Sequence, residues 1–144
     1  MLAQALQLSS ATGSPGENVA IEIALQSPAG REPSALQLET TIPASDLNFV
    51  DETLSAGPAA KAAGKSVNCA VKPKTEKRQT SVCILYGGQE PIHNGVIAVL
   101  RLKISPGAQL STARIRVDQA LAVSKDLKKT PIEAVETAIK IQAK

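Results

Sequence analysis

Apolar and polar side chains alternate along much of the chain with a period of two residues. In the segment VAIEIAL at 19–25, Val19, Ile21 and Ile23 alternate with smaller or polar residues. This period is typical of a strand with one buried face. The pattern predicts about nine strands, at residues 5–9, 19–25, 35–42, 47–53, 66–72, 80–86, 95–105, 112–124 and 131–141.

Turns rich in glycine and proline separate these segments, and no long amphipathic helix interrupts them. Single helical turns are predicted at 43–46 and 59–63. The Ala-rich segment at 133–144 could be read as a helix, but the alternation of Val135, Thr137 and Ile139 favours a strand. The pattern predicts an all-β fold, an antiparallel β-sandwich that occupies residues 1–144 as a single domain.

The chain has almost no aromatic residues. Phe49 and Tyr86 are its only two, and tryptophan is absent, so the core must consist of Val, Ile, Leu and Ala. One aromatic residue on each face cannot form the stacking platform that binds single-stranded nucleic acid, and a carbohydrate-binding surface is disfavoured for the same reason. The net charge of +3, from 16 basic and 13 acidic residues, is also too small to indicate a nucleic-acid partner.

The ends of the chain and its hydropathy bear on its location. No apolar run approaches the roughly 20 residues of a membrane span. The start, Met-Leu-Ala-Gln-Ala, lacks the basic region and apolar core of a signal peptide, and its Ala-Gln pair is common at the start of mature secreted chains. We therefore expect a secreted protein.

Two cysteines lie on neighbouring predicted strands. If the hairpin between 66–72 and 80–86 is symmetric, Val71 pairs with Ser81 and Cys69 with Cys83. Directly opposite β-carbons lie about 4.5–5.5 Å apart, close to the roughly 3.5–4.5 Å that a disulfide needs. The pair is either a cross-strand disulfide, which would indicate an oxidising compartment, or two buried thiols. A zinc site is disfavoured because His93 is the only histidine.

The same register assigns the faces of the strand at 80–86. Cys83 and Leu85 point inward, so Val82, Ile84 and Tyr86 point outward and form a candidate contact patch. Two alternatives remain open: another part of the chain covers these side chains, or the register is shifted by one residue, which would exchange the two faces.

No combination of residues predicts catalysis or a bound cofactor. His93 is the only histidine, and Glu90 is the only acidic residue near it in the sequence. Gly64-Lys65-Ser66 resembles the end of a phosphate-binding loop, but the spacing from Gly57 is two residues too long and a strand follows. We predict a protein that is not an enzyme and has no metal site.

The order of segments resembles the cohesin domain, the receptor module of cellulosome-type assemblies for polysaccharide breakdown. Four stretches carry the resemblance: GSPGENVAIEIAL at 13–25, ALQLETTIPASDLNFVDET at 35–53, NGVIAVLRLKISPGAQLSTARIRV at 94–117, and the region 118–125 followed by KKTPIEAVETAIKI at 128–141. The resemblance implies a jelly-roll β-sandwich that binds a dockerin-type helical module, with calcium held by the partner. Such a module tethers proteins to a scaffold or cell surface outside the cell. The alternative is a structural sandwich domain of a larger envelope or secretion protein, without dockerin binding.

The resemblance also implies where a partner would bind. In cohesins the partner docks on the outer face of the sheet that contains the strand at 80–86, and here the strands at 35–42, 66–72 and 112–122 would be its neighbours. An apolar centre with a polar rim is typical of a protein-binding face. The predicted site residues are Val82, Ile84, Tyr86, Gln37, Glu39, Thr41, Asn68, Ala70, Arg114, Arg116 and Asp118.

Overall fold

The computed structural model describes residues 4–73, 75, 77–109 and 111–142, except for the side chains of residues 51 and 52. Within these ranges the chain forms eleven strands and one short helix, α1 (Pro58–Ala62). The strands are β1 (Ala5–Leu8), β2 (Ala11–Gly13), β3 (Asn18–Gln26), β4 (Ala35–Pro43), β5 (Leu47–Ala56), β6 (Ser66–Val71), β7 (Arg78–Tyr86), β8 (Gly95–Ile104), β9 (Thr112–Val123), β10 (Lys129–Ile132) and β11 (Val135–Ile141).

The strands form two sheets that pack face to face. The four-stranded sheet has the order β1-β3-β8-β5, and the seven-stranded sheet has the order β2-β11-β9-β4-β7-β6, with β10 paired to β9. The all-β sandwich predicted from the alternation is therefore confirmed, with more strands than the nine expected.

The core between the sheets is aliphatic, as the composition predicts. The largest fully buried side chains among the described residues are all isoleucine or leucine, contributed by both sheets. Phe49 is only partly buried against this cluster, and Tyr86 is 44% exposed. Alternate positions such as Ile21, Ile23 and Leu25 on β3 are fully buried, so the period of two in the sequence corresponds to the two faces of each sheet.

The prediction of one strand at 131–141 is wrong. Two strands, β10 and β11, occupy this region, and both pair with β9. Ile132 is 5% exposed and Val135 packs partly buried against the core, although they are three residues apart. Strict alternation would place them on opposite faces, so the regular strand must break between them.

Strand β2 is absent from the prediction, which placed a turn near residue 13. This strand has only three residues and pairs in parallel with β11, whereas β1 pairs antiparallel with β3 in the other sheet. The chain thus passes from one sheet to the other between Leu8 and Ala11. The β2–β11 pair is an exception to the predicted antiparallel pairing.

Gly57 lies where α1 approaches strand β8. Its backbone N–H donates a hydrogen bond to the carbonyl oxygen of Ile97 at 2.8 Å. A β-carbon built on Gly57 would lie 2.5 Å from the carbonyl oxygen of Val96, closer than atoms normally approach. The backbone of Gly57 is extended, with a φ of −84°, so the requirement for glycine here is one of space.

Gly57→Ala is expected to lower the free energy of unfolding by about 1–3 kcal/mol, because the backbone of Val96 must move to admit the methyl group. Urea unfolding monitored by circular dichroism would measure the loss. Gly107→Ala is the matched control, since a β-carbon at Gly107 meets no atom within 4 Å. Equal effects of the two substitutions would contradict the steric explanation.

Cys69 and Cys83 form a disulfide between β6 and β7. The two residues face each other across the strands, and their Cα atoms are 4.1 Å apart. The same register pairs Val71 with Ser81, as the symmetric hairpin predicts. Cys83 is fully buried and Cys69 is half-buried. Of the two alternatives left open by the sequence, the disulfide is the one that the structure contains.

Removal of this disulfide, either by reduction or in the Cys69→Ala/Cys83→Ala double variant, is expected to lower the free energy of unfolding by about 3 kcal/mol. The bond closes a loop with a sequence separation of 14, and a loop of this size restricts the unfolded chain by about that amount. Urea unfolding with and without a phosphine reductant would measure the effect, and the double variant should not respond to the reductant. Unchanged midpoints after complete reduction would show that the bond adds no stability.

Candidate protein-binding face

Strand β7 presents Val82, Ile84 and Tyr86 on the outer surface of the seven-stranded sheet. Cys83 and Leu85, which alternate with them, are fully buried. Ile84 is 39% exposed and Tyr86 is 44% exposed, whereas Val82 is half-buried. The predicted register of this strand is therefore correct, and Ile84 and Tyr86 remain accessible.

Strands β4 and β6 flank β7 on either side. They supply the polar and small side chains predicted to surround the apolar patch. The cross-strand pairs are Gln37 with Ile84, Glu39 with Val82, Asn68 with Ile84, and Ala70 with Val82. Farther along β4, the hydroxyl oxygen of Thr41 lies 3.0 Å from that of Thr80 on β7.

Strand β9 extends the same surface beyond β4. Arg114, Arg116 and Asp118 alternate with fully buried residues of that strand and therefore point outward. Arg116 pairs with Thr41, and Asp118 pairs with Glu39. The structure thus brings all eleven predicted site residues onto one face, and their role in binding stays a prediction.

Leu121 also belongs to this face, although the sequence interpretation did not include it. On β4, Gln37 pairs with Leu121 and Glu39 pairs with Asp118, so two residues of β9 lie opposite one residue of β4. This arrangement is a β-bulge, and Gln119 within it has a φ of 49°. The bulge changes which alternate residues face the core.

A signal for this bulge exists in the sequence. Strict alternation from the buried Val117 would place Gln119 and Leu121 in the core, and a buried glutamine is costly without partners. In the structure Ala120 and Ala122 are buried instead, each 2% exposed, and Gln119 is exposed. Leu121 is therefore half-buried on the outer surface, in the same cross-strand row as Gln37 and Ile84.

Arg116 is the centre of an ion-pair network on β9 and β11. Its guanidinium donates hydrogen bonds to Glu136 Oε2 at 3.0 Å and to Asp118 Oδ2 at 3.2 Å. These bonds, chiefly the one with Glu136, raise the pKa of Arg116 above its ordinary value. Arg114 lies farther from the shared carboxylate, 3.9 Å from Glu136 Oε1, and its side chain is 77% exposed.

A separate ion pair joins Lys72 Nζ to Glu39 Oε1 at 3.2 Å, across β7. The face therefore has two parts with different chemistry. The apolar half comprises Val82, Ile84, Tyr86, Leu121 and the half-buried Val123, which alternates with the buried Ala122 of β9 and pairs with Ala35 of β4. The charged half comprises Glu39, Lys72, Arg114, Arg116, Asp118 and Glu136.

Lys65, in the Gly-Lys-Ser sequence that resembles the end of a phosphate-binding loop, bonds to the backbone of a neighbouring loop. Its ammonium group donates hydrogen bonds to the carbonyl oxygens of Gly87 at 2.7 Å and Gly88 at 3.4 Å. Lys65 is 6% exposed, and burial lowers its pKa while nearby Glu90 opposes the shift. Because of these two hydrogen bonds, Lys65 secures the loop after β7 and has a structural role. The segment is followed by strand β6, whereas a phosphate-binding loop is followed by a helix.

His93 is exposed in the loop before β8. Among the residues that the structure describes, no three His, Cys, Asp or Glu side chains lie close enough together to hold a metal ion. Within the same residues, no helix has both the length and the apolar character needed to span a membrane.

The sequence matches no protein-family model, and it matches none of the curated protein sequences compared with it.

Several solved structures with a similar fold are cohesin modules. The sixth cohesin of scaffoldin B from Acetivibrio cellulolyticus, in complex with a dockerin, has a TM-score of 0.74 and 16% identity, covering 98% of this chain and 100% of that one. The OlpA cohesin from Clostridium thermocellum, also in complex with a dockerin, has a TM-score of 0.74 and 14% identity, with the same coverages. A non-cellulosomal cohesin from Archaeoglobus fulgidus has a TM-score of 0.70 and 8% identity, covering 98% of this chain and 92% of that one. At these identities the likeness concerns the fold, and the chain has the fold of cohesin modules.

Proposed function

We propose that this chain is a non-catalytic protein-interaction module that binds a dockerin-type helical partner on the outer face of its seven-stranded sheet. One observation carries the proposal: Val82, Ile84 and Tyr86 form an apolar strip in an exposed sheet, framed by polar and charged side chains. An apolar centre with a polar rim is the usual composition of a protein-binding surface. Ile84 and Tyr86 are exposed next to each other on one strand face, and contiguous apolar patches of this kind mark protein interaction sites.

The dimensions of the strip suit a helix. Three alternate residues of a strand span about 13 Å, at roughly 3.3 Å per residue. About two and a half turns of an α-helix, at 5.4 Å per turn, cover the same length. A helix lying along β7 could therefore place successive apolar side chains against Val82, Ile84 and Tyr86. Its width, about 10 Å, would also bring it over β4 toward Leu121.

The solved complexes support the choice of partner. The cohesins of scaffoldin B and OlpA, which share this fold, were both solved in complex with dockerins. By analogy, calcium would be bound by the partner, and this chain would tether the partner's protein to a scaffold or cell surface. The disulfide supports an extracellular location, because disulfides persist in oxidising compartments.

Ile84→Asp is expected to weaken partner binding by roughly 30-fold or more, since a carboxylate would be buried without a partner at the centre of the interface. Because Ile84 is 39% exposed, the free energy of unfolding should change by less than about 1 kcal/mol. Calorimetric titration and urea unfolding would measure the two effects. Leu127→Asp is the matched control, because Leu127 is 79% exposed in a turn outside the face. A large loss of stability in Ile84→Asp would contradict the outward position of this residue.

Binding to dockerin modules encoded in the same genome is expected to be saturable and to depend on calcium. Each recombinant dockerin would be titrated into the chain with calcium and then with a chelator. The melting temperature of the chain alone should not respond to calcium, because the proposed calcium sites belong to the partner. If no dockerin binds in either condition, the chain is better explained as a structural sandwich domain of a larger envelope or secretion protein.

A further inference from the structure

The outer face carries more positive than negative charge, and the excess lies at one end. Three carboxylates occur on its strands β4, β9 and β11: Glu39, Asp118 and Glu136. All three already form ion pairs with cations of the same face, namely Lys72, Arg116 and Arg114. A fourth acidic residue, Glu133, follows β10 at the margin away from β7. A basic group on a partner would therefore have to displace an existing ion pair in order to find a carboxylate on these strands.

Two arginines at this end, Arg78 and Arg114, have weaker local partners than Arg116 does. The side chain of Arg114 is 77% exposed, and it lies 3.9 Å from the carboxylate of Glu136. That carboxylate also accepts a 3.0 Å hydrogen bond from Arg116. Arg78 begins β7, is exposed, and forms no ion pair with a residue that the structure describes. Within the part of the chain that the structure describes, both guanidinium groups therefore keep N–H donors from which a further anion could accept hydrogen bonds.

The strand register brings these two arginines to the same end of the face. Arg78 pairs with Pro43 across β7 and β4. Thr41 pairs with Arg116, and extending that pairing by two residues places Arg114 beside Pro43 on the other side. Two strand spacings of about 4.8 Å then separate the two backbones by roughly 10 Å. Pro43, between them, brings no competing charge.

Ile84 and Tyr86 lie toward the opposite end of β7 from Arg78. The two ends of the face therefore differ in chemistry. The apolar half lies at one end, and the pair Arg78 and Arg114 lies at the other. An elongated partner that covers both ends must match this order.

We propose that the partner's docking helix carries carboxylates at the end that lies over Arg78 and Arg114, and apolar side chains over the apolar half. This inference rests on the proposed function and specifies the chemistry and orientation of the partner. A guanidinium forms strong, charge-assisted hydrogen bonds with a carboxylate. A helix with lysine or arginine at the same end would be repelled, so the arrangement selects against basic partners as well as for acidic ones.

Two synthetic amphipathic peptides of about 20 residues, long enough to form a helix, would test the charge assignment. They share one leucine face and differ only in the last turn, which carries glutamates in one peptide and lysines in the other. Each would be titrated into the ¹⁵N-labelled chain and followed by NMR. At low salt the acidic peptide is expected to bind roughly tenfold more tightly, with shifts on β4, β7 and β9, and screening in about 0.5 M salt should remove most of the difference.

The R78E/R114E double variant should reverse the preference. Its matched control is R101E/K103E, which changes the net charge equally on β8 of the opposite sheet, where both residues are exposed. Equal binding of the two peptides, no saturable binding of the acidic peptide, or an equal effect of the control variant would overturn the charge assignment. Displacement of the acidic peptide by polygalacturonate, together with no effect of Ile84→Asp, would also overturn it and indicate a polysaccharide site.

The dockerin titrations separate this inference from the proposed function. If dockerin binding survives in R78E/R114E but is lost in Ile84→Asp, the charge assignment fails while the docking face stands. If Ile84→Asp leaves dockerin binding unchanged, the docking face itself is wrong.

Discussion

Burial of aliphatic side chains from alternate positions of the long strands is the constraint on which the rest of the structure depends. The chain has no tryptophan, and its single phenylalanine is only partly buried, so leucine, isoleucine, valine and alanine must fill the space between the sheets. Successive side chains of a strand point to opposite faces, so when these residues face inward, the residues that alternate with them face outward. The exposure of Ile84 and Tyr86 is thus a direct consequence of the burial of Cys83 and Leu85.

The disulfide compensates for a strand that contributes little to this core. Strand β6 lies at the edge of the seven-stranded sheet, and only Val67 and Cys69 on it are partly buried against the core. Apolar burial alone therefore holds β6 weakly. The covalent bond to Cys83 on β7 keeps Asn68 and Ala70 beside the apolar strip, so one margin of the candidate face depends on it.

Local alternation made most of the fold and much of the candidate face predictable from the sequence. The hairpin of β6 and β7 could be predicted because its two strands are close in sequence and the cysteines indicate a symmetric register. Strand β2 could not be predicted, because its three residues carry almost no periodic signal and its partner β11 lies more than 100 residues away. The outward position of Leu121 was missed because of the bulge at Gln119, although a glutamine at an expected core position was a local indication of that bulge. Ion pairs such as that between Arg116 and Glu136 depend on the pairing of β9 with β11, which periodicity alone does not specify.

The parallel pairing of β2 and β11 has a mechanical consequence. Residues 11–13 and 139–141 run side by side in the same direction, and the N–H of Gln142 donates a further hydrogen bond to Gly13 at 2.9 Å. A pull between the two ends of the chain acts on these strands in opposite directions along their common axis. The hydrogen bonds between them are then loaded in shear and must yield together, whereas bonds pulled apart in a zipper geometry break one after another. Strands β2 and β11 therefore meet tension along the chain in the more resistant geometry.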